Sequence, residues 1–310
     1  MYKGKRVCLV IPAHDEERHI GTVVRSVPEF VDNVVVVDDG STDRTSEIVR
    51  GSQDPRVELI RHESNQGVGA AVVTGYRRAI ALGADVVGRL DGDGQMDPNY
   101  LRELLDAVLD DGFHYAKGNR FMTRRMLQEM PRGRVWGNAI LTFLTKFASG
   151  YWQVFDPQNG YTATTREVLE TIPLVRLRHD YVFENSVLCE LYMGNFRVKD
   201  VPIPAVYRDE DSEIRVGRFS FAAAGYLFRR FWRRIFIKYM IRDFHPVALF
   251  YVFGTLLLLV GIFFGVVALA LSLGPPIATT GTIMLAVVPF FLGFQLVLSA
   301  ISVDISLTPR

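Results

Sequence analysis

The segment Asp85-Val86-Val87-Gly88-Arg89-Leu90-Asp91-Gly92-Asp93-Gly94-Gln95 is a short, largely apolar run of strand length that ends in two carboxylates one residue apart. An apolar strand with polar residues gathered at its C-terminal end belongs to an open α/β sheet, where ligands bind in the crevice beyond the carboxyl ends of the strands. Asp91 and Asp93 at such an end can share a hard cation, Mg²⁺ or Mn²⁺, whose other ligands are waters and phosphate oxygens. Gln95 adds a neutral oxygen at the same side-chain period, and the glycines permit unusual backbone angles and close approach by a diphosphate. A calcium EF-hand loop is excluded, because Met96 stands where its turn glycine belongs and Arg102 where its bidentate glutamate belongs. A plain Asp/Gly turn without a ligand stays open on this motif alone.

Working outward, the same pattern recurs. Val7–Ile11, Val34–Val37 and Val57–Ile60 are short valine-rich runs that predict buried strands. Helical spacing over Glu16–Val27, Val68–Leu82 and Leu101–Leu109 alternates with them, which predicts an α/β sheet flanked by helices. Strand-like segments return at Gly160–Thr164 and Phe196–Val201, and an apolar helix is expected over Val135–Phe147.

The other strand ends are also polar. Val37-Asp38-Asp39-Gly40-Ser41-Thr42-Asp43 places an acidic residue where it can accept hydrogen bonds from a ribose or a base N–H. Alternatively, Ser41 or Thr42 caps the next helix and no ligand is needed. The first strand ends in Pro12-Ala13-His14-Asp15-Glu16. Asn65-Gln66-Gly67-Val68-Gly69 precedes a helix and either offers N–H groups to a phosphate or lets that helix pack closely.

Charge is unevenly distributed along the 310 residues. From Phe244 to Val303 there is no Asp, Glu, Lys or Arg, so the formal net charge of +1 averages over unlike parts and identifies no partner. Val247–Leu273 and Ile277–Val303 are each long enough to cross the roughly 30 Å hydrocarbon core of a bilayer as a helix, with Gly274, Pro275 and Pro276 as the turn. Before them, Phe219–Phe244 interleaves aromatic residues with Arg229, Arg230, Arg233, Arg234, Lys238 and Arg242, a composition suited to a helix lying in a membrane interface. The basic run at Lys3, Lys5 and Arg6 is not a signal peptide, because the apolar stretch after it is too short and runs into Asp15 and Glu16. Cys8 and Cys189 sit among apolar neighbours and read as buried thiols.

Taken together, these motifs resemble the family-2 glycosyltransferases of the GT-A fold, in the polyprenyl-phosphate branch typified by dolichol-phosphate mannose synthase. The resemblance covers about the first 220 residues. It implies an open mixed sheet flanked by helices and a catalytic domain over 1–217, to which the charge pattern adds an interfacial helix over 218–244 and a two-helix membrane hairpin over 245–310. It places Pro12, His14, Glu16, Val37, Asp39 and Gly92 at the donor nucleotide. Asp91, Asp93 and Gln95 match the metal motif D-x-D-x-Q, with Asp91 and Asp93 as the catalytic carboxylates. Gly118-Asn119-Arg120 resembles a Gly-Ser-Arg element and implies Arg120 near the donor phosphates. Arg134 matches an acceptor-side arginine, although the family's serine four residues later is Asn138 here. Asp156-Pro157-Gln158-Asn159-Gly160-Tyr161 resembles Asp-Pro-x-Ser-Gly-Phe, with Asn159 replacing serine beside sugar or acceptor. Arg208 and Arg215 resemble the basic pair around a Gly-Glu-Ser-Lys loop, with one residue inserted and arginine replacing lysine.

The implied activity is inverting transfer of a sugar from a nucleotide diphosphate, UDP-hexose or UDP-N-acetylhexosamine in preference to GDP-mannose, to a polyprenyl or dolichyl phosphate at the cytoplasmic face. Mg²⁺ or Mn²⁺ is the expected cofactor, the membrane an expected partner and nucleic acid not, while self-association is left open. A processive polysaccharide synthase is the rival enzyme, but its Gln-x-x-Arg-Trp motif has no counterpart in Phe228–Arg234, which lacks the glutamine. A non-catalytic nucleotide-sugar-binding protein is the rival from another class. The identity of sugar and base is not encoded in these motifs.

Overall fold

The computed structural model describes residues 1–122, 132–204, 216–273 and 278–309, with side chains described outside 122–138 and 205–222. Seven strands, β1 (Val7–Ala13), β2 (Asn33–Asp38), β3 (Val57–Arg61), β4 (Val86–Arg89), β5 (Tyr115–Asn119), β6 (Thr162–Thr165) and β7 (Val198–Pro202), form one sheet in the order β3-β2-β1-β4-β6-β5-β7. The first four are parallel. β6 runs antiparallel to both β4 and β5, and β7 is parallel to β5, which makes the sheet mixed as expected.

The helices are α1 (Ile20–Arg25), α2 (Thr45–Arg50), α3 (Val68–Ala81), α4 (Leu101–Leu109), α5 (Arg132–Ser149), α6 (Arg166–Thr171), α7 (Phe183–Met193), α8 (Val216–Arg234), α9 (Pro246–Ser272) and α10 (Thr280–Ser306). β1 is buried along its whole length, and its Leu9 and Ile11 join Val34, Val36, Leu90, Leu104 and Leu105 in the main core. This two-sided burial explains the near-continuous valine runs. Cys8 and Cys189 are free and buried, and burial pushes the Cys8 thiol up to about 12, which leaves it unreactive as a thiolate.

One expectation changes in detail, and one strand was not anticipated. The first helix begins at Ile20 rather than at Glu16, because the chain leaves β1 with Asp15 at φ 55° and spends residues 15–17 on hydrogen bonds to the loop after β2. β5 carries Lys117, Gly118 and Asn119 in a fully buried strand, and no hydrophobic period announces it.

The chain separates into two compact units, Met1–Leu227 with Pro309–Arg310, and Phe228–Thr308. In the second unit, π-helical turns over Ile235–Arg242 lead to α9 and α10, both long and apolar enough to cross a membrane. Little of either helix is buried. Phe253, Leu256, Leu259, Phe263, Phe291 and Leu292 are exposed, whereas a soluble core helix would bury such residues. Small residues line the contact between the two helices: Gly254 and Gly261 of α9 and Gly293 of α10 are buried there. Arg234, expected in the basic surface stripe, is instead buried. Its Nη1 and Nη2 donate to Asp304 Oδ1 and Oδ2 at 2.6 and 2.8 Å, and Tyr239 Oη donates to Asp304 Oδ1 at 2.5 Å. The turn at Gly274, Pro275 and Pro276 lies outside the described residues.

Candidate active site

The parallel register sets Pro12 beside Val37 and Ala13 beside Asp38, so β1, β2 and β4 deliver their polar ends to one edge. Backbone bonds bind these ends together: Asp39 N donates to Ala13 O at 2.9 Å, Gly92 N to Pro12 O at 3.1 Å, and Leu90 N to Val10 O at 3.2 Å. The loops after β1 and β2 are clamped as well. Asp15 N donates to Ser41 Oγ at 2.9 Å, Glu16 N to Thr45 Oγ1 at 2.7 Å, and Thr42 N to Asp15 Oδ1 at 2.7 Å. Ser41 and Thr42 therefore join loops and do not cap α2, whose N-cap position is Arg44. Pro12 and Val37 are buried here, His14 is exposed and Glu16 is half-buried. Burial alone would raise the Asp38 carboxyl, but hydrogen bonds from Ser41 and Ser46 outweigh it and hold the group below its ordinary value.

Asp39 is buried and richly partnered. It accepts from Gln66 N at 3.0 Å and Gly67 N at 2.8 Å, and its Oδ1 lies 2.7 Å from His62 Nδ1. Gly69 N donates to His179 O at 3.0 Å. These bonds occupy the N–H groups of Gln66, Gly67 and Gly69, and the glycines of Asn65–Gly69 let α3 start close against the His179 backbone. Gly67 has φ 94°, and a Cβ on it would fall 2.3 Å from His179 O.

At the end of β4, Gly94 turns with φ 70° and Gln95 N donates to Asp93 Oδ1 at 2.9 Å. Asp91, Asp93 and Gln95 are all half-buried at this turn. Arg89, two residues before Asp91 and 2% exposed, donates Nε and Nη2 to Asp91 Oδ1 at 3.2 and 2.9 Å and Nη1 to Glu184 Oε1 at 2.8 Å. Glu184 comes from the first turn of α7. Gly160 completes this corner, since a Cβ there would lie 2.6 Å from Asp91 Oδ2.

A second polar cluster occupies the ends of β5 and β7. Arg120 grips buried Asp156 with a fork, Nε to Oδ2 at 2.7 Å and Nη2 to Oδ1 at 3.0 Å. Asn159 is 2% exposed; its Nδ2 donates to Gly118 O at 2.9 Å and its Oδ1 accepts from Tyr161 N at 3.0 Å. Lys117, fully buried, donates to Asn159 O, and burial lowers its ammonium to about 8. Burial also raises the Asp200 carboxyl to about 6, against hydrogen bonds from Phe155 N and Asn119 Nδ2. Arg134 and Asn138 belong to α5, where their side chains are outside the described set, and Arg208 and Arg215 lie outside the described residues.

Sequence reasoning missed Arg89, Lys117 and Glu184. The available signal was a charged residue inside a strand of otherwise buried character, Arg89 in Val86–Leu90 and Lys117 in Tyr115–Asn119. Among the described residues no group of three or more His, Cys, Asp or Glu is placed to hold a metal ion. The Asp91–Gln95 turn nonetheless offers hard oxygen donors, which suits a Mg²⁺-like cation that keeps waters and substrate phosphates as its other ligands.

A sheet edge of this kind, parallel strands ending in clamped acidic loops with an antiparallel strand beyond, defines a nucleotide-sugar transferase of the GT-A type. The chain belongs to glycosyl transferase family 2, whose family model matches residues 8–172, and it is a glycosyltransferase. Among relatives, it is 29% identical to the UDP-N-acetylglucosamine–dolichyl-phosphate N-acetylglucosaminyltransferase of Methanococcus voltae, over 76% of this chain and 96% of that one. It is 30% identical to the polyprenol monophosphomannose synthase of Mycolicibacterium smegmatis, over 71% and 87%. The fold is shared with glucosyl-3-phosphoglycerate synthase from Mycobacterium tuberculosis, solved with Mn²⁺, UDP and phosphoglyceric acid, at a TM-score of 0.58 and 23% identity, covering 73% of this chain and 78% of that one.

Proposed function

We propose that this enzyme transfers a sugar from a UDP-hexose or UDP-N-acetylhexosamine to a polyprenyl or dolichyl phosphate, with inversion, at the cytoplasmic face of a membrane. The observation that carries the reading is the joining of the β1, β2 and β4 ends through Gly92 N to Pro12 O and Asp39 N to Ala13 O, beside a turn bearing Asp91, Asp93 and Gln95. The names of the Methanococcus and Mycolicibacterium relatives supply the acceptor class, and that of the Methanococcus relative supports UDP over GDP.

In this reading Pro12, His14, Glu16, Val37 and Gly92 line the nucleoside side of the edge. Asp39 acts there through the Gln66–Gly67 backbone that it holds. Asp93, Gln95 and the second oxygen of Asp91 would hold Mg²⁺ or Mn²⁺, which when bound neutralises charge on the departing nucleoside diphosphate. Arg134, Arg208 and Arg215 would bind phosphate, and Arg120 shares its fork between Asp156 and that task. Asn138 would lie with Arg134 on the acceptor side, and Asn159 would position the Gly160 corner. A lipid phosphate oxygen attacks the anomeric carbon as the bond from that carbon to the diphosphate oxygen breaks. A phosphate monoester has its second pKa at about 6, so the nucleophile is already ionised and needs orientation more than a base.

Arg229, Arg230, Arg233 and Arg242 precede the first span closely enough to fix its N-terminal side in the cytoplasm. In sealed cells, a cysteine beside Pro276 should then react with an impermeant thiol reagent and one at Arg310 should not; the reverse would overturn the topology. For the metal assignment, Asp93→Asn should abolish most turnover while leaving the melting temperature nearly unchanged. Full activity of that variant at saturating Mn²⁺ would overturn it.

A further inference from the structure

Arg89 is not explained by the transfer chemistry. Placing a guanidinium in a buried strand costs several kcal/mol unless it is fully paired, and here the pairing is to one of the carboxylates proposed to meet a cation. Both strong bonds from Arg89 to Asp91 go to Oδ1, the remaining bond goes to Glu184, and the ring of Phe183 lies 5.4 Å from the guanidinium carbon. Gly160 closes the other side, where a Cβ would fall 2.8 Å from Arg89 Nη2. The guanidinium therefore has two carboxylates to share and no room to leave.

Resting on the metal reading above, we propose that Arg89 is a positioning residue that keeps Asp91 half-neutralised, so that the Asp91–Asp93 turn takes up a divalent cation only together with a nucleotide diphosphate. Glu184 sets how strongly Arg89 is committed to Asp91. Without nucleotide, a cation at this turn meets the Asp93 carboxylate and, beside it, a carboxylate whose charge is already shared with a fixed guanidinium. A diphosphate brings the missing negative charge and the missing oxygens, so metal and nucleotide raise each other's affinity by the same factor. An unshared Asp91 would instead keep metal resident between turnovers.

The two partners of Arg89 give the test opposite signs. Arg89→Gln removes the positive charge and frees Asp91, so Mn²⁺ affinity without nucleotide should rise, on the order of tenfold, the common size of an outer-shell effect. The gain in Mn²⁺ affinity on adding UDP should shrink correspondingly. Glu184→Gln leaves Asp91 as the one carboxylate on Arg89, so nucleotide-free Mn²⁺ affinity should fall and the UDP-dependent gain should grow. Mn²⁺ titration of the full-length chain in detergent, read by the paramagnetic resonance of free Mn²⁺ with and without UDP, measures all four quantities. If both variants weaken Mn²⁺ binding, or neither changes it, Arg89 and Glu184 merely hold the fold and the proposal is overturned. Should Arg89→Gln not fold, Glu184→Gln decides by itself, since a rise or no change in its nucleotide-free affinity overturns the proposal. Absence of Mn²⁺ uptake by the wild-type chain even with UDP would remove the metal reading and the proposal together.

Discussion

Gly160 and Asp91 approach so closely that a single added carbon would not fit: a Cβ on Gly160 would lie 2.6 Å from Asp91 Oδ2. The segment bearing Gly160 is itself held by Lys117 and by the Arg120–Asp156 pair, so the carboxylate and the loop support each other. Gly160→Ala should therefore push Asp91 away from its place, lowering turnover about tenfold or more and stability by about 1–3 kcal/mol. Steady-state kinetics and a thermal melt of the same preparation check this. Unchanged turnover would show that the position of Asp91 does not matter to catalysis.

Asp200 gives the fold a pH dependence. The folded protein holds its proton up to about pH 6, whereas the unfolded chain releases it near 3.8. Between those values the folded state binds more protons, so stability falls as pH rises, by about 3 kcal/mol for a shift of this size. Oδ1 of Asp200 is buried without a hydrogen-bond partner among the described residues, which is where the penalty of charging it arises. Asp200→Asn should flatten this fall, and melting temperatures measured from pH 4 to 7 would show it. An identical slope in both proteins would refute the assignment to Asp200.

How much of this was legible in the sequence depends on where burial and polarity agree. β1, β2 and β4 were readable because their residues are apolar and their polar ends follow at once. β5 was not, because Lys117, Gly118 and Asn119 look like a turn, and only the carbonyl of Asn159 and the carboxylate of Asp200 make them acceptable inside a sheet. Asp39 was found as a strand-end acid, yet its bonds to Gln66, Gly67 and His62 depend on a loop that no local spacing reveals. Arg234 followed the basic pattern of its helix, and its burial became visible only with Asp304, 70 residues away, in place.

That pair makes its own prediction. Arg234 and Asp304 are both essentially buried, and Tyr239 shares the carboxylate. Asp304→Asn takes away the carboxylate that pairs with this buried guanidinium and should destabilise the second unit by about 3–5 kcal/mol, whereas replacing both residues by Met and Leu should cost much less. Denaturant unfolding of the full chain in detergent separates the two. Equal losses in the single and double variants would mean that the charges are not coupled.

Sugar transfer to a lipid phosphate is the central claim, and one assay meets it directly. The full-length chain in proteoliposomes containing polyprenyl phosphate receives radiolabelled UDP-N-acetylglucosamine, UDP-glucose or GDP-mannose in turn, with Mn²⁺. The account predicts label in an organic-soluble, mild-acid-labile lipid monosaccharide from a UDP-sugar, lost in Asp93→Asn. Label in a water-soluble polymer, or donor binding with no transfer from any of the three, would contradict it.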